Sequence, residues 1–71
     1  MKVKDSIMSE RVAEELFKLG DCNAEIARKL RCSKSAVSDW VTGRNIPTAY
    51  YLKSLHYAGC DVIYILTGER V

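Results

Sequence analysis

The stretch Asn23-Ala24-Glu25-Ile26-Ala27-Arg28-Lys29-Leu30-Arg31-Cys32-Ser33-Lys34-Ser35-Ala36-Val37-Ser38-Asp39-Trp40-Val41-Thr42-Gly43 reads as two short helices broken by a tight turn. Asn23 is suited to cap the first helix, and Glu25 in its first turn sits near the positive end of the macrodipole. Ile26, Ala27 and Leu30 form the apolar face of that helix. Ser33 is a natural N-cap for a second helix in which Val37, Trp40 and Val41 recur at helical spacing, and Gly43 ends it. Two helices crossing at a wide angle need a small residue at the crossing, and Ala27 supplies it. With Ile26, Leu30, Cys32, Val37 and Trp40 turned inward, the outward positions are Lys34, Ser35, Ser38 and Asp39, all short or flexible polar side chains. An ordinary helical hairpin with a solvated polar face has the same pattern; a helix-turn-helix puts those side chains in a major groove.

These residues resemble the helix-turn-helix of Cro and lambda-repressor-like (XRE-type) regulators of phages and bacteria, with Ala27, Val37 and Trp40 on its small and apolar marker positions. The ending Gly59-Cys60-Asp61-Val62-Ile63-Tyr64-Ile65-Leu66-Thr67-Gly68 is similar to the last helix of phage-repressor-like members. The resemblance covers most of the chain, from Ser6 or Ser9 to Gly68, and the two motifs together are more specific than either alone. One position departs from the pattern. Many members carry Gly at the start of the turn, where this chain has Arg31; an Arg there either adopts a left-handed backbone or shifts the turn.

Seventy-one residues make one domain, residues 1–71, and at this size folding buries only about 60% of the unfolded chain's surface. The composition is 48% hydrophobic, ample for a core. No run approaches the roughly 18 apolar residues of a membrane span, and the N-terminus leads into no signal-like segment, so a cytoplasmic protein is expected. Net charge is only +2, but its placement is informative. Basic and acidic residues balance from Met1 to Gly20 and from Pro47 to Val71. The excess lies between Asp21 and Ile46, where Arg28, Lys29, Arg31, Lys34 and Arg44 outnumber Asp21, Glu25 and Asp39. A local basic surface on the candidate reading unit is what phosphate binding requires.

Elsewhere the pattern is also helical, and the expectation is an all-α, five-helix domain. Asp5, Ser6 or Ser9 is placed to cap a first helix whose stripe is Met8, Val12, Leu16 and Leu19, widened by Ala13 and Phe17. Arg11, Glu14, Glu15 and Lys18 are expected to face water, and Gly20 to stop the helix. The two helices of the motif run from about Ala24 to Arg31 and Lys34 to Thr42. Pro47-Thr48 opens a fourth with Tyr51, Leu52, Leu55 and Ala58 on its inner face, closed by Gly59. Asp61 caps a fifth, Val62 to Thr67, with Gly68 beyond it. Val62, Ile63, Tyr64, Ile65 and Leu66 are consecutive around that short helix, so some stay exposed in a monomer and point to an interface.

The leading expectation is sequence-specific binding of double-stranded DNA by a homodimer, and hence repression in a phage or prophage setting. Lys34, Ser35, Ser38 and Asp39 are the base-contact candidates: Lys donates to guanine, Ser donates or accepts, and Asp accepts from cytosine N4. Asn23, Thr42, Arg44 and Asn45 are the phosphate candidates, and Ile63 and Tyr64 the dimer candidates. Catalysis is not expected, because the lone His56 has no nucleophile or acid near it in sequence and no phosphate loop or carboxylate pair is present. No cofactor or small-molecule ligand is implied. Cys22, Cys32 and Cys60 form no Cys-x-x-Cys pair, and His56 with Cys60 lacks a second pair for zinc, so no metal is expected. Two rival readings remain: an antitoxin-like interaction module using the apolar last helix, or the DNA-binding part of a longer repressor.

Overall fold

A computed structural model describes residues 2–70, with side chains described from Met8 onward. Five helices follow one another: α1 (Lys2–Leu16), α2 (Asn23–Leu30), α3 (Lys34–Thr42), α4 (Ala49–Tyr57) and α5 (Val62–Thr67). The described residues contain no strand. The core is built from every helix: Val12, Leu16 and Leu19 from α1 and its trailing turn, Ile26, Ala27 and Leu30 from α2, Val37 and Trp40 from α3, Leu55 from α4, and Ile65 from α5. Cys60, between α4 and α5, completes it. α3 packs on both α1 and α2, while α5 lies against α1 and α4. One edge of α3 is therefore clamped and the other left free.

The turn between α2 and α3 answers the question posed by Arg31. Its backbone is left-handed, φ 58° and ψ 48°, the one such residue other than glycine among those described. That conformation costs a side-chain-bearing residue about 1–2 kcal/mol. Two hydrogen bonds offset it, Cys32 N–H to the Ala27 carbonyl at 3.0 Å and Arg31 N–H to Arg28 at 3.3 Å, which close the helix end. α3 ends in the same way. Gly43 takes φ 82°, and Arg44 N–H reaches back to the Asp39 carbonyl at 2.8 Å.

Caps hold as expected at α3, where Ser33 Oγ accepts from Ala36 N–H at 3.0 Å, and at α5, where Asp61 accepts from Tyr64 N–H at 2.9 Å. At α2 the expected cap is corrected. Asn23 is the first helical residue, and Cys22 occupies the cap position without a side-chain bond. The nearby orphan donor, Asp21 N–H, is satisfied instead by Glu25 Oε1 at 2.9 Å. Gly20 makes room for this, since a Cβ there would lie 2.9 Å from the Glu25 side chain. At the other end of the chain, α1 already runs from Lys2, so Asp5, Ser6 and Ser9 lie within the helix and none caps it; it stops at Leu16, ahead of Gly20.

Three face assignments are also corrected. Phe17 is half exposed and Ala58 exposed, each lying just beyond the last residue of its helix. Glu15 is the larger correction, because it is buried at 1% exposure, not solvated. It lies three residues after Val12 and four before Leu19, on the core stripe itself. Its carboxylate accepts from Asp61 N–H at 2.8 Å, Lys18 Nζ at 2.9 Å and Arg70 Nη2 at 3.0 Å. Burial pushes its pKa up, but the Asp61 amide, Lys18 and Arg70 outweigh that and hold it below the ordinary glutamate value. Arg70 also reaches Asp61 at 3.3 Å and stacks over the Tyr64 ring, 3.8 Å from its centroid. α5 is thereby fastened to α1 by charge as well as by Ile65.

Candidate nucleic-acid interface

Because Val37 and Trp40 are buried against α1 and α2, the register of α3 about its own axis is set. Lys34 and Ser35, in its first turn, are exposed, and Ser38 and Asp39 are partly exposed one turn later. Thr42, Arg44 and Asn45 follow at the C-terminal end, all exposed. Arg28 and Arg31 add exposed cations around the turn. Lys29 is different: its ammonium donates to the Leu19 carbonyl, tying α2 to the end of the α1 turn. Asn23 is partly buried at the start of α2, well before α3 in the chain.

The candidate residues fall into two groups. At the N-terminal end of α3, neither Lys34 nor Ser35 is held by a hydrogen bond or ion pair to another described residue, so both are unencumbered. At the C-terminal end the side chains are already engaged with one another. Asp39 Oδ2 accepts from Asn45 Nδ2 at 3.3 Å, and Asp39 Oδ1 lies 3.7 Å from Arg44 Nε. Thr42 Oγ1 donates to the Ser38 carbonyl at 2.8 Å, so its hydroxyl proton is used within the helix. A carboxylate in the last turns of a helix faces the negative end of the macrodipole, so Asp39 calls for nearby donors. After the left-handed Gly43 the chain turns back and brings Arg44 and Asn45 toward Asp39.

A second exposed feature lies between α4 and α5. Leu52, His56, Tyr57, Val62, Ile63 and Leu66 line an open apolar groove of about 570 Å³. Tyr57 is 80% exposed, Ile63 50% and Leu66 46%, an unusual concentration of large apolar surface for so small a domain. The two dimer candidates are parted here. Ile63 lines the groove, whereas Tyr64 is packed toward α1, its hydroxyl donating to Glu14, which pushes the phenol's pKa up. Leu66 belongs to the apolar cluster expected at an interface, whereas Tyr57 was not expected there; it joins the groove because α4 and α5 pack together.

No group of three His, Cys, Asp or Glu side chains among the described residues converges on a point that could hold a metal. Cys60 is buried, its thiol donating to the Glu15 carbonyl, and burial together with the Glu15 charge pushes its pKa up to about 11. It is inert packing. Among the described residues no helix is long and apolar enough to cross a membrane. Comparison with family models, with curated proteins and with solved structures finds no match to this chain.

Proposed function

We propose that this protein is a sequence-specific double-stranded DNA-binding regulator, a repressor of the phage or prophage type that acts as a homodimer on an approximately palindromic site. The observation that carries the reading is the standing of α3: buried along one side by Val37 and Trp40, capped by Ser33, and presenting Lys34 and Ser35 unencumbered at its first turn. An α-helix is about 10–12 Å across with its side chains, a match for the roughly 12 Å width of a major groove. Exposed Arg28, Arg31 and Arg44 supply cations for phosphates on either side. Selection of bound duplexes from a random pool tests this directly. An enriched inverted repeat is expected; recovery of no preferred sequence rejects it.

Reading and holding separate by mutation. Lys34→Ala is expected to lose about 1–3 kcal/mol of discrimination at one position per half-site. Arg44→Ala is expected to weaken binding to all duplexes nearly equally and to shallow the salt dependence by about one unit of slope. Titration of both variants against the selected and scrambled duplexes over a range of salt checks this. An unchanged specific-to-scrambled ratio for Lys34→Ala makes Lys34 a phosphate contact.

The α4–α5 groove supports the dimer. Two copies joined through it are expected to present their α3 helices about one turn of the duplex apart, roughly 34 Å. Ile63→Glu puts a charge on the exposed wall of that groove without touching the buried Ile65. It is expected to shift sedimentation toward monomer with little change in melting temperature. The same groove favours a second reading, a module that binds a different chain, and sedimentation as a monomer at high concentration, with and without DNA, favours that one.

A further inference from the structure

Asp39 is placed where a base reader would be, yet its carboxylate is committed elsewhere. Oδ2 takes the Asn45 amide, Oδ1 faces the Arg44 guanidinium, and its main-chain carbonyl accepts from Arg44 N–H at 2.8 Å and Asn45 N–H at 3.3 Å. One residue thus organises both neighbours that follow the Gly43 turn, through backbone and side chain together. A cytosine amino group using the same oxygen would have to share it with the Asn45 amide. Arg44 is 78% exposed in its side chain, so the pair does little for folding stability, and its effect is on where the guanidinium stands.

Resting on the DNA-binding reading above, we propose that Asp39 is a positioning residue: it reads no base, but holds Arg44 and Asn45 at the end of the recognition helix in the orientation from which they grip the phosphate backbone. Pre-ordering two long polar side chains reduces the freedom they lose on binding. The arrangement makes three residues one energetic unit, which is a measurable property.

The test begins with the free protein. Asp39→Ala should leave the circular dichroism and melting temperature near the parent's while moving the Asn45 side-chain amide resonances; unmoved resonances mean the knot does not form, and the proposal fails. Next, the parent is titrated with the duplexes selected from the random pool. If the parent selects no sequence, the DNA-binding reading fails, and this proposal with it. Given a selected site, Asp39→Ala is expected to weaken binding about two- to fivefold at every single-base variant of that site alike, the scale of an exposed pair. Its effect should largely vanish when Arg44 is already Ala. Asp39→Asn, which keeps an acceptor for Asn45, should recover part of the loss. A changed preference at one base pair makes Asp39 a reader, and tighter binding that adds independently to Arg44→Ala makes it a repelling charge; either result overturns the proposal.

Discussion

Trp40→Ala is expected to cost about 3–5 kcal/mol, the range for emptying a buried large aromatic. A chain of 71 residues has about 4–10 kcal/mol of total stability at roughly 0.05–0.15 kcal/mol per residue, so this one change removes a large part of it. The reason is its place at the joint of the fold. Trp40 is 5% exposed, and its ring meets Tyr51 with centroids 5.0 Å apart at an interplanar angle of 57°, linking α3 to α4. Chemical unfolding followed by far-ultraviolet circular dichroism measures the loss. In the parent protein the same residue reports on its own burial: emission should be blue-shifted when folded and move little when DNA is added. A water-like emission spectrum from folded protein would contradict the packing of α3, and a loss below about 1 kcal/mol would show the site collapsing around the gap.

The second large effect belongs to Glu15. Removing its carboxylate in Glu15→Ala leaves the Asp61 amide at the start of α5 without its acceptor, which costs about 1–3 kcal/mol for a buried donor. It also leaves Arg70 and Lys18 without their shared partner. Because the folded-state pKa of Glu15 lies below its ordinary value of 4.5, its contribution is fully present above that value. It is lost as pH falls through the lower folded-state value. Unfolding of parent and variant at pH 7 and at pH 3 gives the comparison: the gap between them should be wider at pH 7 than at pH 3. A gap of equal width at both would mean that the cluster stabilises by packing alone. Arg70→Ala acts in the same direction and should preferentially loosen α5.

Much of the architecture was legible because it is written in local chemistry. Ser33, Gly43, Asp61 and Gly68 terminate helices through groups within a few residues of themselves, and they bound α3 and α5 at the residues expected. Val37 and Trp40 repeat at a spacing that only a helix turns to one side. The start of α2 came one residue early: Asn23 is already helical, and Cys22 holds the cap position with no side-chain bond.

The candidate site divides in the same way. Exposure of Lys34 and Ser35 follows from the period of α3, so the sequence was sufficient for the N-terminal end of that helix. The knot of Asp39 with Arg44 and Asn45 depends on how the chain folds back beyond a left-handed glycine, and single-residue polarity does not encode that path.

By itself, then, the sequence determined the five helices, the inward faces of α2 and α3 and the free polar edge of α3, because periodicity and capping act over distances of one or two turns. Tertiary structure alone decided that a glutamate would be core, that Tyr64 would turn to α1 while Ile63 stayed on the surface, and that Tyr57 and Leu66 would share a groove. Those outcomes join residues as far apart as Glu15 and Arg70, 55 positions along the chain. A carboxylate reads as solvated until its donors are counted, and here the Asp61 amide and the Arg70 guanidinium arrive from the far end of the chain.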